Sequence, residues 1–169
     1  VYMNTRSYEA ALKSIERIAK PSAQIMEAKQ KILFQLGTQS FANANFEQAL
    51  QYLNQSITIG QYNRQTKADA YYWCGESYYR LNRMMEAARD FNAYLQLTTQ
   101  PNNEMYALAN YNLGYIAFHR KDYTQASNYF QKYIQLEKGE NRTALADAYN
   151  RIGDCHLNVR NFEEAKHYY

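Results

Sequence analysis

The sequence predicts an all-α fold, a solenoid of antiparallel helix pairs, on three observations. Glycine recurs at Gly37, Gly75, Gly114 and Gly153, at steps of 38, 39 and 39 residues. Similar residues follow each glycine at the same offsets, and no stretch alternates apolar and polar residues as a strand would. A period of this length is typical of repeat proteins in which each unit is one small supersecondary element.

The first helix of each unit is predicted around its glycine, and the second begins nine residues later. A glycine inside a helix costs about 1 kcal/mol relative to alanine, so close packing against a neighbouring helix is the reason to expect it there. The residues that open the second helices are Phe46, Met84, Tyr123 and Phe162. The predicted repeat-packing positions are four glycines and four alanines: Gly37, Gly75, Gly114, Gly153, Ala49, Ala87, Ala126 and Ala165. A large residue follows each alanine by four positions: Leu53, Phe91, Phe130 and Tyr169.

Helix boundaries follow from capping residues in this register. Pro21-Ser22 marks the entry to the first complete unit, and an asparagine twelve residues before each later glycine is a predicted N-cap: Asn63, Asn102 and Asn141. Gly60 and Gly139 follow second helices, where a left-handed cap is expected. Helices are predicted near 5–19, 22–43, 46–59, 65–81, 84–98, 103–120, 123–137 and 142–159, with a last one from 162 to the end.

The same register predicts a single helical-repeat domain over residues 1–169. It consists of a half-repeat, 1–20, and repeats near 22–60, 63–100, 102–139 and 141–169, the last one truncated. Because a unit is cut at each end and no polar capping unit is visible, we expect a fragment of a longer chain.

These residues resemble the tetratricopeptide repeat, whose pattern is a bulky residue, Leu-Gly and Tyr in the first helix and Ala and Phe in the second. Leu36-Gly37 and Leu113-Gly114 match the Leu-Gly pair, and Tyr71 and Tyr78 match the flanking aromatics. His156 departs from the tyrosine position, and the period is about four residues longer than the usual 34. The resemblance implies a right-handed superhelix whose first helices line a concave groove.

The resemblance also implies that residues three before, one after and four after each glycine face this groove. A groove of aromatic rings offers large contact area at low side-chain entropy cost, and we expect it to bind a protein or peptide as a scaffold. The alternative is that the rings pack between neighbouring first helices, in a structural spacer or self-assembly module without a ligand groove. The predicted groove residues are Phe34, Phe41, Tyr72, Glu76, Tyr79, Tyr111, Tyr115 and Phe118. Family members that clamp a carboxylate use Lys, Asn and Arg at such sites, so a clamp is not expected here.

No constellation of an enzyme is present in the sequence. There is no glycine-rich phosphate loop, nucleophile elbow or cysteine pair. His119, His156 and His167 have no His or Cys partner four residues away. We therefore predict no catalytic residue, no metal and no cofactor. Cys74 and Cys155 lie two units apart, too far to bridge, and are predicted to be free.

Charge and hydropathy bound the partners and the location. The formal net charge is +3, with basic and acidic residues interspersed, so a nucleic-acid partner is not expected. No apolar run approaches 18 residues, which predicts no direct membrane insertion. The string from Tyr71 to Tyr79 is similar to repeats of bacterial periplasmic proteins of the Tol-Pal and outer-membrane assembly systems. The resemblance favours the bacterial cell envelope, with the cytoplasm as the alternative, and leaves the oligomeric state and the ligand open.

Overall fold

The computed structural model describes residues 5–101 and 103–167, without the side chains of Thr5, Glu164 and Ala165. Over this part the chain forms eight α-helices, one short 3-10 helix and no strand. The predicted all-α fold of consecutive helix pairs is therefore confirmed. Two predicted packing positions, the Ala165 side chain and Tyr169, lie outside the described residues.

The chain divides into two compact units, and the first is Val1–Thr99. Its helices are α1 (Thr5–Glu16), α2 (Ala23–Ala42), α3 (Phe46–Thr58), α4 (Arg64–Arg80) and α5 (Met84–Leu97), with a 3-10 helix over Gly60–Tyr62. Each helix packs on the next one in the chain, and the first helices α2 and α4 also contact each other.

The second unit is Gln100–Tyr169. It contains α6 (Glu104–His119), α7 (Tyr123–Leu136) and α8 (Arg142–His167), and α7 packs against both of the others. The predicted repeat boundaries and the single domain over 1–169 stay predictions.

Polar side chains cap the first helices where the register places them, with one shift. The side chains of Ser22 and Asn63 accept hydrogen bonds from the backbone N–H of residues three positions on, at 3.2 Å and 2.9 Å. Asn141 does the same for the start of α8, at 3.0 Å. The cap of α6 is Asn103, which accepts from the N–H of Tyr106 at 2.9 Å. The predicted cap Asn102 lies outside the described residues.

The turns inside the three complete helix pairs share one backbone motif. Ala44, Asn82 and Lys121 have positive φ angles of 60°, 59° and 63°. After each of them the next N–H bonds back to a carbonyl five residues earlier, which satisfies the end of the first helix. Gly139 has the expected left-handed conformation, at φ 85°. The expectation for Gly60 is wrong: it opens the 3-10 helix, and a Cβ there would meet the Lys67 side chain at 2.5 Å.

Three of the repeat glycines lie directly against a large side chain of the second helix. A Cβ at Gly37 would lie 2.5 Å from Leu53, one at Gly75 2.8 Å from Phe91, and one at Gly114 2.8 Å from Phe130. Ala49, Ala87 and Ala126 are fully buried beside these contacts. What this packing contributes to stability stays a prediction.

The last predicted repeat, 141–169, differs from the pattern of the others. A turn near residue 160 and a new helix from Phe162 are expected, but α8 runs without a break from Arg142 to His167. Phe162 is 65% exposed, and a Cβ at Gly153 would meet no described atom within 4 Å. The stretch from Asp154 to His167 contains no glycine or proline, so no residue in it forces a break in the backbone hydrogen bonding of the helix.

Candidate protein-binding surfaces

The inner face of the first unit, defined as the predicted groove positions of α2 and α4, is only partly accessible. Phe34, Phe41 and Tyr79 are half-buried, whereas Tyr72 is 3% exposed. The Tyr72 ring packs edge-on against Phe91 and Tyr94, with centroids 5.7 Å and 5.4 Å away. Tyr72 therefore packs in the core and does not present an accessible ring to a groove, as its predicted position required.

Glu76, another predicted groove residue, contacts the hydroxyl of Tyr72. Its Oε1 accepts a hydrogen bond from the Tyr72 hydroxyl at 3.0 Å. This bond satisfies the polar end of a ring whose carbon atoms lie in the core. The pKa of Tyr79 is raised, first by burial and then by the negative charge of the same Glu76 carboxylate.

The end of this face carries an aromatic cluster that connects neighbouring first helices. The rings of Phe41 and Trp73 lie 5.0 Å apart, edge to face, and Phe46 lies 5.3 Å from Phe41. The Arg80 guanidinium lies 5.5 Å from the centre of the Phe41 ring. Aromatic packing and a cation–π contact together hold Phe41 in one orientation.

The inner face of the second unit is built around one carboxylate, Asp147 of α8. The hydroxyls of Tyr111 and Tyr115 on α6 both donate hydrogen bonds to its Oδ2, the first at 2.7 Å. The Arg151 Nε lies 3.8 Å from its other oxygen, and the Arg151 Nη1 lies 3.2 Å from Asp154. The Arg151 guanidinium also lies 5.9 Å from the centre of the third predicted groove ring, Phe118. We call Tyr111, Tyr115, Asp147 and Arg151 the Asp147 cluster.

Ionisation of these tyrosines is suppressed. Burial, then the hydrogen bond to Asp147, raises the pKa of Tyr115 to about 12. The same two causes raise the pKa of Tyr111 far above its ordinary value. Both phenols are therefore neutral hydrogen-bond donors at physiological pH, and their rings are positioned by the carboxylate.

Sequence reasoning missed Asp147, Arg151 and Trp73, although two register positions, six and two residues before the glycine, carry a signal for them. An aspartate stands six residues before the glycine in two units, at Asp69 and Asp147. Asp69 accepts from the Gln65 amide at 2.8 Å, and burial raises the pKa of its carboxyl. Two residues before the glycine stand Trp73 in one repeat and Arg151 in another. Each contacts the ring four residues after the glycine of the preceding repeat: Trp73 contacts Phe41, and Arg151 contacts Phe118.

The predicted free state of both cysteines agrees with the structure. Cys74 and Cys155 are buried and unbridged, and burial raises the pKa of each thiol. Within the described ranges, no three His, Cys, Asp or Glu side chains are grouped to hold a metal ion. None of the helices in the described part of the chain has the length and apolarity to cross a membrane.

Comparison with known proteins agrees with this helix-pair architecture. Two tetratricopeptide-repeat family models match the chain, one over residues 75–143 and one over 146–169. No curated protein sequence matches it.

Solved structures of MamA are similar in fold. A crystal structure of MamA protein has a TM-score of 0.61 at 19% identity and covers 95% of this chain and 81% of its own. A second MamA crystal structure has a TM-score of 0.61 at 18% identity and covers 100% of both chains. MamA 41-end from Desulfovibrio magneticus RS-1 has a TM-score of 0.56 at 16% identity, covering 92% and 87%.

Tetratricopeptide-repeat proteins are in general non-catalytic scaffolds for protein interactions, and protein partners are what this fold suggests. The helix pairs, the packed glycines and the family matches agree with one another. This chain belongs to the tetratricopeptide-repeat family.

Proposed function

We propose that the chain binds a segment of another protein through aromatic side chains on the inner faces of its first helices. The observation that carries this proposal is a difference in burial. The second-helix rings Phe91 and Phe130 are completely buried, whereas Phe34, Phe41 and Tyr79 keep part of their surface accessible in the first unit. Tyr111, Tyr115 and Phe118 do so in the second unit.

The orientation of these rings supports the same proposal. Tyr111 and Tyr115 are hydrogen-bonded to Asp147, and Phe118 lies beside the Arg151 guanidinium. Rings that are already held in place lose little side-chain entropy when a partner covers them. Tyr72 and Glu76 have a supporting role, because Glu76 accepts the hydrogen bond of the hydroxyl of Tyr72, whose ring is buried.

A second candidate function is a structural spacer without a ligand groove. It is favoured by the burial of Tyr72 at 3% exposure and by the use of both Tyr111 and Tyr115 hydroxyls within the chain. In this function the aromatic rings act only in the packing of neighbouring first helices.

Site-specific photocrosslinking separates the two functions. A photoreactive phenylalanine analogue is placed at Tyr79 or Phe118 on the inner faces, or at the half-buried Tyr52 or Tyr129 on second helices, in the native cell. We expect one protein to be crosslinked from both inner-face positions and from neither second-helix position. Crosslinks from Tyr52 or Tyr129 alone would refute an inner-face site, and crosslinks from none would support the spacer.

Affinity measurements with the crosslinked partner then quantify the contact. Truncation of an aromatic anchor typically costs about 2 kcal/mol, which is roughly thirtyfold in Kd. We expect such a loss for Phe118→Ala and for Tyr79→Ala. The matched controls are Tyr129→Ala, an aromatic truncation on α7, and Lys132→Ala, an exposed residue of the same helix. Unchanged affinity for both inner-face variants, with loss for either control, would contradict the proposal.

The location is a separate proposal that rests on the periplasmic resemblance of residues 71–79. We propose the bacterial cell envelope, and separation of periplasmic and cytoplasmic fractions of the native cell tests it. Recovery of the protein in the cytoplasmic fraction would favour the alternative.

A further inference from the structure

Arg80, the last residue of α4, contacts two aromatic rings of the preceding helix pair. Its guanidinium is 5.5 Å from the centre of the Phe41 ring and 5.9 Å from that of Phe46. These two rings are 5.3 Å apart, edge to face, and Phe41 also packs edge-on against Trp73. Arg80 itself is exposed. The rings therefore hold this cation at the surface, next to the inner face of the first unit.

Three other arginines of the described residues also lie over aromatic rings, and each of them has a carboxylate partner. The pairs, at 3.0 Å, 3.0 Å and 3.2 Å, are Arg83–Glu86, Arg89–Asp90 and Arg151–Asp154. Arg80 differs from them. Within the part of the chain that the structure describes, its guanidinium forms no ion pair and donates no hydrogen bond. Arg80 is therefore a positioned cation whose donors are unused.

The acidic residue that stands at the right spacing to pair with Arg80 is engaged elsewhere. Glu76 precedes Arg80 by four residues in α4, the spacing at which a glutamate and a basic residue pair on a helix. Its Oε1 accepts instead the hydrogen bond of the Tyr72 hydroxyl at 3.0 Å, and Arg80 lies on the phenylalanine rings. The same arrangement that satisfies the buried tyrosine thus leaves Arg80 without a carboxylate.

The unused donors of Arg80 define what it can bind. A guanidinium carries five N–H groups in one plane, and the phenylalanine rings offer no oxygen or nitrogen acceptor for them. A carboxylate matches two of these N–H groups with parallel hydrogen bonds. A phosphate dianion is a poorer match, because the Glu76 carboxylate lies one helical turn away and repels a second negative charge. The ligand that fits is a single carboxylate, as on the side chain of Asp or Glu.

We infer that Arg80 selects an acidic side chain in the segment that the first unit binds. The inference rests on the proposed function, because it places this side chain beside the aromatic anchors. Phe41 contacts the guanidinium and Tyr79 directly precedes Arg80 in α4. A segment that covers these rings brings its adjacent residues to Arg80. The partner motif is an apolar or aromatic residue with Asp or Glu close to it in the sequence.

Selection from a phage-displayed library of random short peptides tests the inference on the whole chain. The parent, Arg80→Gln and Arg83→Gln are used in parallel. Arg83→Gln is the matched control, because it removes the same charge three residues away from an arginine that already has a carboxylate partner. We expect peptides selected by the parent and by Arg83→Gln to be enriched in Asp or Glu next to an apolar residue. Peptides selected by Arg80→Gln should lack this enrichment.

A double-mutant cycle with one selected peptide quantifies the contact. Replacement of its acidic residue by the corresponding amide should weaken binding to the parent about tenfold, since charge-assisted hydrogen bonds are lost. The same replacement should change the Kd of Arg80→Gln by less than about twofold. Circular dichroism verifies that the variants retain their helix content.

Tyr79→Ala separates a failure of the inference from a failure of the proposed function. Peptides whose binding is lost in Tyr79→Ala but that show no acidic preference would overturn the inference and leave the proposed function intact. An acidic preference that Arg80→Gln retains would do the same. If no selected peptide depends on Tyr79, the proposed function and the inference both fail.

Discussion

The contact between Gly114 and Phe130 makes a sharp prediction for Gly114→Ala. The added Cβ would lie 2.8 Å from the nearest ring atom of Phe130, with two further ring atoms at 2.9 Å. Real Cβ atoms do not approach this closely, so the ring or the helix must move. Phe130 is completely buried and in contact with Tyr111 and Tyr115, at centroid distances of 5.9 Å and 5.2 Å. A shift of the ring would therefore disturb its contacts with both tyrosines.

Two effects of opposite sign decide the magnitude. Alanine improves the helix propensity at an interior glycine by about 1 kcal/mol. Overpacking of a well-packed core costs about 1–3 kcal/mol. We expect Gly114→Ala to lower the free energy of unfolding by as much as about 2 kcal/mol, and Gly114→Leu to lower it by about 1–3 kcal/mol.

Urea unfolding followed by circular dichroism at 222 nm measures this change. With an m-value of about 2 kcal/mol per M, the expected loss for Gly114→Ala moves the midpoint down by up to about 1 M. The control is Asn128→Ala on α7, an exposed helical position where only the propensity changes, and its midpoint should rise slightly. A midpoint that rises for Gly114→Ala as it does for the control would show that the ring yields freely, and the packing explanation of the repeated glycine would be refuted.

Three further predictions concern the second unit. The pKa of Tyr115 is raised from 10.0 to about 12, so the contribution of its neutral phenol to stability is complete below pH 10 and is lost as the pH rises towards 12. Over this range the urea midpoint of Tyr115→Phe should therefore fall less than that of the parent. Asp122→Ala removes the acceptor for the Gln125 N–H, 3.2 Å away at the start of α7, and should lower the free energy of unfolding by about 1 kcal/mol in the same assay; no change would show that solvent replaces the cap. Lys121→Gly relieves the strain of a left-handed residue at φ 63° and should raise the free energy of unfolding by about 0.5–1 kcal/mol, which is measured as a higher thermal midpoint. A lower midpoint would mean that the contribution of the Lys121 side chain outweighs the backbone strain.

The helix pairs could be predicted from the sequence because their signals are local and repeated. The predicted helices near 22–43, 46–59, 65–81, 84–98 and 123–137 agree with the observed ones within two residues at each end. Asparagine and serine caps, interior glycines and apolar spacing all act within one or two turns of a helix. The same signals recur in each repeat, so the repeats support one another's boundaries, although the turn that the register predicts near residue 160 is not observed.

The candidate surfaces could be predicted only in part. The register identifies Tyr111 and Tyr115 as inner-face residues, but their partner Asp147 is 36 and 32 positions away in the sequence. Tyr72 and Tyr111 occupy the same register position, yet Tyr72 is nearly completely buried and Tyr111 is half-buried. What covers each ring depends on the residues of the neighbouring helices, which periodicity does not specify.

By itself, the sequence determined the family, the first three complete helix pairs and the positions in those pairs where a glycine meets a large residue, since each of these follows from local propensity and a fixed repeat. Only the tertiary structure decided that Asp147 organises the second inner face, that Glu76 supports a buried Tyr72, and that α8 continues past Arg160. The last case shows the reason most clearly. The segment around Arg160 contains no residue that must break a helix, so whether it turns depends on how well the two halves of α8 pack against each other and not on the local sequence.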